Sequence, residues 1–146
     1  MAVAFIDANA VVYMHGRPHF YQQPCEAVLR YASANSAYFR TSAEVLQELL
    51  NLGIRRGSVE LARQMLRTLT NSCSEVVSVL GDDIFQALDY AVPRLSARDR
   101  IHLAVMQRIG CNQIISTDRA FDGASGITRL DPLDFESWRD QFVESD

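Results

Sequence analysis

Residues 2–6 form a short apolar run that stops at Asp7, the pattern of a strand buried on both faces. From Ala8 to about Met14 the chain reads as helix, ended by Gly16 and Pro18. A second helix is predicted from about Tyr21 to Ala34, where Pro24 is tolerated because it falls in the first turn. Ala37–Arg40 is a short strand. Thr41-Ser-Ala-Glu44 then opens a helix in a capping-box pattern, with Val45, Leu46, Leu49, Leu50 and Leu52 as its apolar stripe. Gly57-Ser58 separates that helix from another running to about Leu69. Glu75–Leu80 is short and β-branched, a strand, and Gly81-Asp82 begins a helix ending near Pro93. Ser96-Ala-Arg-Asp99 repeats the capping-box pattern and opens a helix through about Ile109, with Gly110 at its end. Gln113–Thr117 is a strand running into Asp118, Ile127–Leu130 a last strand, and Leu133 to about Phe142 a final helix. Short apolar strands alternating with helices imply parallel pairing covered on both faces. The expected fold class is α/β: a single domain over residues 1–146, a short central parallel sheet flanked by helices.

Composition narrows the chemistry. A chain of 146 residues is long enough to bury a core without disulfides or a structural metal. All 14 basic residues are arginine, so any mechanism needing a catalytic lysine is excluded. The formal net charge of −4 is unevenly spread. Asp131, Asp134, Glu136, Asp140, Glu144 and Asp146 face Arg139 alone near the C-terminus, while acids and arginines nearly balance elsewhere. A polyanionic partner is therefore open to the main body. Cys25, Cys73 and Cys111 are odd in number, far apart and without a CxxC, which points to a reduced, cytoplasmic setting. No apolar run approaches the ~18–20 residues of a membrane span. The first residues meet Asp7 with no basic leader, unlike a signal peptide.

The acids carry the strongest signal. Asp7 and Asp118 each follow a buried strand, and ligands of open parallel sheets bind beyond the strands' carboxyl ends. Each also has a structural reading, because Asp is a common N-cap. Glu48 lies mid-helix one turn after Glu44, a repulsive i,i+4 pair with no basic residue at 45, 51 or 52 to relieve it. Asp99 fits the last place of a capping box yet stands between Arg98 and Arg100. If these four carboxylates converge, they need a neutralising partner. A hard divalent cation, Mg²⁺ or Mn²⁺, supplies that, and can offset charge on a phosphoryl group in an in-line displacement.

Four blocks, Phe5-Ile-Asp-Ala-Asn9, Thr41 to Leu50, Ser96 to Val105 and Ile114 to Asp122, resemble in order the PIN domain family, and within it the VapC-type toxin ribonucleases. The third block is the most specific. The resemblance implies an acidic metal site of Asp7, Glu48, Asp99 and Asp118, with Asp7 and Asp99 as its firmest ligands. Asn9 and Thr117 would position nucleophile or substrate, and Asp122 would be a fifth acid. It implies Mg²⁺- or Mn²⁺-dependent endonucleolytic cleavage of RNA by a metal-activated water, a homodimer, and a cognate antitoxin protein. Two relatives of that reading compete: a PIN nuclease that processes RNA precursors, and an inactive PIN-like module that binds RNA or protein.

Other classes fare worse. Receiver and dehalogenase-type phosphotransfer domains use a lysine, which this chain lacks. His15, His19 and His102 do not make HExxH, and His102 reads as a core or supporting residue on its helix. No Ser or Cys nucleophile has a supporting constellation, and no Gly-rich phosphate loop is present. Arg17, Arg55, Arg56, Arg98, Arg100 and Arg119 are the candidate RNA contacts, too scattered to define a groove.

Overall fold

Ala4, Phe5 and Ile6 (β1) have no exposed surface, and neither do Ile114 and Ile115 of β4 (Gln113–Ile115). Strands covered on both sides belong at the centre of a parallel sheet, and in this computed structural model, which describes residues 2–142, that is where they lie. β1 pairs in parallel with β4 on one side and with β2 (Phe39–Ser42) on the other. β3 (Glu75–Val77) and β5 (Thr128–Leu130) close the edges, giving the order β3-β2-β1-β4-β5. The chain steps outward from β1 to β3 and then crosses back to β4. The strand order therefore reverses between β1 and β4, where an open parallel sheet leaves a crevice at its carboxyl edge. Asp7 and Asp118 flank that point.

The helices are α1 (Ala8–His15), α2 (Gln22–Ala34), α3 (Ala43–Arg55), α4 (Val59–Ser72), α5 (Gly81–Gln86), α6 (Ala97–Arg108) and α7 (Phe135–Trp138). The first four pack on one another, α5 packs on α6, and α3 meets α6. The α3–α4 crossing is close enough that a Cβ on Gly53 would collide with Ala62, so only glycine fits there. Gly110 follows α6 in the left-handed region at φ 73, the expected helix stop. Phe135, Trp138 and Phe142 are buried and join Phe39 of β2 and Tyr31 of α2 in one aromatic cluster.

Several boundaries differ from the sequence pattern, each for a visible reason. Thr41 and Ser42 belong to β2, so the helix begins later than the capping-box pattern implies. The Thr41 hydroxyl donates to the Ile6 carbonyl across the strands at 3.1 Å, and Ser42 caps α3 without a side-chain bond. Glu44 has an ion partner instead, Arg98 at 4.0 Å. Leu50, placed on the apolar stripe, is 44% exposed. The β3 strand ends at Val77 and α5 at Gln86, followed by a 3₁₀ turn over Ala87–Asp89 that stops short of Pro93. The last helix is a short α7 between two 3₁₀ turns. Glu144 and Asp146, counted among the C-terminal acids, lie outside the described residues. Among the described residues no helix is long and apolar enough to cross a membrane.

Candidate metal centre

Asp7 is only 4% exposed and its carboxylate is held by three donors. The Ala8 amide donates to Oδ1 at 2.8 Å, while the Ser116 hydroxyl and the Asn9 amide reach Oδ2 at 2.8 and 3.2 Å. Ser116, at the end of β4, is fully buried. It gives its proton to Asp7 and accepts from Asn9 Nδ2 and the Asp118 backbone, so this one hydroxyl ties the ends of β1 and β4 together. Asn9 completes the tie by accepting from the Thr117 amide at 3.1 Å. None of these donors carries a charge. Burial accordingly pushes the Asp7 carboxyl up to about 6, with the like charges of Glu48 and Asp99 adding to it. His102 and the Ser116 hydrogen bond pull the other way without offsetting it.

Facing Asp7 are Glu48 from α3 and His102 from α6. His102 is fully buried, with Nε2 2.9 Å from Glu48 Oε1 and 3.6 Å from Asp7 Oδ1. One ligand atom from each of Asp7, Glu48 and His102 lies within 4.8 Å of the others. Burial by itself drives the imidazole toward neutrality, but the Glu48 hydrogen bond and the carboxylates of Asp7, Glu48 and Asp99 outweigh it and raise its pKa. Its Nδ1 is buried and has no partner among the described residues.

Asp99 sits one turn before His102 on α6, in the first turn above the Ser96 cap. It is half-buried, and burial raises its carboxyl above the ordinary value. His102 and Ser96 lower it, and Asp118 and Glu48 raise it again. Asp99 and Asp118 are thus electrostatic neighbours of the cluster without belonging to the tight three-residue group. Asp118 spends Oδ1 on the Ala120 amide at 2.9 Å, as an N-cap does. Asp122 is exposed and its two oxygens are taken by Arg129, at 2.9 and 3.3 Å. Of the arginines, Arg100 is tied to the carbonyls of Leu95 and Val92, so it braces the loop before α6.

His102 and Ser116 are the residues the sequence pattern did not place in the site. His102 had one usable signal: it follows Asp99 by three positions and therefore shares its helix face.

The donor set fits a divalent cation. Carboxylates from two different elements point at one spot, burial and then the neighbouring acids raise the Asp7 carboxyl, and among the described residues the one basic group near both is the buried His102 imidazole, whose Nδ1 has no partner. An ion at that spot would offset the same charges and let the imidazole be neutral, which lowers the penalty of the unpartnered nitrogen.

Comparisons with known proteins agree with this picture. The family model described as PIN domain matches residues 4–127. Ribonuclease VapC23 of Mycobacterium tuberculosis is 34% identical over 125 residues, covering 82% of this chain and 96% of its own length. Ribonuclease VapC13 of the same species is 30% identical, with 86% and 97% covered. Among solved structures, the M. tuberculosis VapC20 described as a Sarcin-Ricin loop cleaving toxin superposes with a TM-score of 0.67 at 20% identity, covering 85% of this chain and 98% of that one. VapBC2 from Rickettsia felis, bound to a DNA fragment from its promoter, gives 0.65 at 13% identity, covering 88% and 98%. These two likenesses speak for the fold.

Proposed function

The chain belongs to the PIN domain family, and from that premise we propose that it is a metal-dependent endoribonuclease of the VapC kind, the toxin of a toxin–antitoxin pair. The observation that carries the reading is the meeting of Asp7 and Glu48, from separate elements, at the carboxyl edge where the strand order reverses. We assign Asp7, Glu48, Asp99 and Asp118 to the metal site, with Mg²⁺ or Mn²⁺ as its ion because oxygen donors dominate. When bound, such an ion lowers the pKa of water and offsets charge on a phosphodiester.

The chain's own residues supply orientation. Asp7 cannot rotate, because amide and hydroxyl donors hold both its oxygens. His102 holds Glu48 through Nε2, the nitrogen that already points at it, and so acts as a positioning residue. Asn9 spends its whole amide on Asp7, Ser116 and the Thr117 backbone, which makes it part of the frame. The Thr117 hydroxyl has no protein partner among the described residues, so of the two residues we assign Thr117 to the substrate. Partly buried carboxylates repel a phosphodiester until their charge is offset, so binding of RNA and of the ion are coupled. A cognate antitoxin, a homodimer and a cytoplasmic location go with the same reading. An RNA-processing role is its nearest alternative.

The test is cleavage of mixed single-stranded and structured RNA in Mg²⁺, Mn²⁺ or EDTA, beside the Asp99→Asn chain. Metal-dependent cutting that the variant loses is expected. Cutting that persists in EDTA, or in Asp99→Asn at the wild-type rate, overturns the assignment.

A further inference from the structure

The loop between α1 and α2 gathers aromatic rings whose inner members, Tyr13 and Tyr21, pack on the core while His19 and Phe20 stand exposed outside it. Tyr13 and His19 have ring centroids 4.7 Å apart, His19 and Phe20 4.3 Å, and Phe20 and Tyr21 4.8 Å. The stack is wet on its outer side: Phe20 is 68% exposed. Beside it opens a cavity of about 670 Å³ bounded by Tyr13, Gly16, Arg17, His19 and Arg56. No acid lines that cavity, and neither Arg17 nor Arg56 has an acidic partner among the described residues.

We propose that this shelf holds an unpaired nucleobase of the RNA substrate, with Arg17 and Arg56 on the adjoining phosphates. The proposal rests on the ribonuclease reading and adds to it a second contact point away from the carboxylates. Single-stranded RNA offers flat faces and a continuous negative backbone, and proteins hold it with aromatic rings set beside cations. Both features are here, and no acid lines the cavity between them.

The position suits a strand that also reaches the metal centre. Asp7 caps α1, α3 carries Glu48, and the two helices pack together. Tyr13 lies six residues past Asp7, roughly 9 Å along its helix, and Arg56 eight past Glu48, roughly 12 Å. On the other side, the Tyr21 hydroxyl donates to Asp131 at the end of β5, and Arg119, next to Asp118, is near enough to act on it electrostatically.

The experiment measures binding by the uncleaving Asp7→Asn chain of two labelled probes: a short mixed-sequence single-stranded oligoribonucleotide, and an abasic ribose-phosphate strand of the same length. Adding Phe20→Ala should weaken the base-bearing probe about tenfold, the size of one lost stack, and leave the abasic one unchanged. Phe20→Trp should keep full affinity, and Arg56→Gln should weaken both probes. Because Phe20 is exposed, thermal unfolding of these variants should match the parent. Equal binding of the RNA by Phe20→Ala and its parent overturns the shelf while the nuclease reading stands. Loss of self-association in sedimentation with RNA binding intact also overturns it, assigning the rings to a second copy of the chain. If the parent binds neither probe, shelf and nuclease reading fall together.

Discussion

The protein buries two aspartates almost completely, Asp7 at 4% and Asp83 at 3% exposure, and treats them in opposite ways. Asp83 on α5 receives a forked pair of hydrogen bonds from Arg108 of α6, at 3.0 and 2.9 Å, and the Leu80 amide at 2.8 Å. Arg108 also donates to the Ser78 carbonyl at 2.6 Å, so the pair pins α5 and the loop before it to α6. With that guanidinium beside it, the Asp83 carboxyl is held below the ordinary carboxylate range. Asp7 has as many hydrogen bonds, yet their donors are neutral: burial pushes it up to about 6, the like charges of Glu48 and Asp99 add to that, and His102 pulls down without offsetting it. An acid that serves the fold is given its own cation. An acid left short of positive charge marks the place where an outside cation belongs.

The contrast can be broken most sharply by neutralising each acid in turn. Asp7→Asn should reduce RNA cleavage by about three orders of magnitude or more, as loss of a central charge-stabilising group does, and should not lower the melting temperature. Asp83→Asn should leave cleavage per folded molecule intact. A large activity loss in the Asp83 variant, or none in the Asp7 variant, would erase the distinction.

Next comes pH. In the metal-free protein Asp7 is protonated up to about 6 when folded, against 3.8 as the unfolded reference, so the native state binds more protons across that window. Stability attributable to Asp7 therefore falls as pH rises from about 4 to 6, by on the order of 3 kcal/mol. Asp83 works in reverse: its stabilisation is full above the unfolded value and is lost as pH falls through its lowered folded pKa. Chemical denaturation in EDTA across this range should show both limbs, with Asp7→Asn flattening the upper and Asp83→Asn the lower. The smallest effect is the equilibrium cost of Asp83→Asn near neutrality, about 1.5–3 kcal/mol for charge-assisted hydrogen bonds, read from the denaturant midpoint.

The sheet was legible in the sequence because its central strands are uninterrupted apolar runs, and Asp7 and Asp118 were legible because such runs end on them. Glu48 stood out as a like charge without relief. His102 did not, since one histidine on a helix reads as a core or supporting residue, and its partner Glu48 lies 54 residues away on α3. Ser116 was hidden for a similar reason: a serine after two isoleucines carries no local mark, and its role exists only once β1 and β4 lie side by side. Thr41 misled, because a threonine three residues before a glutamate fits a helix cap, yet pairing with β1 and β3 drew it into the sheet. Local patterns reported local structure well. What they missed was contact between elements far apart in the chain.

The central claim is that the crowded carboxylates around Asp7 form a cation site, and calorimetric titration of Mn²⁺ into the chelator-treated protein tests it most directly. Wild type and Asp83→Asn should both show saturable binding that Asp7→Asn lacks. Equal binding by Asp7→Asn, or none by wild type, would contradict the account.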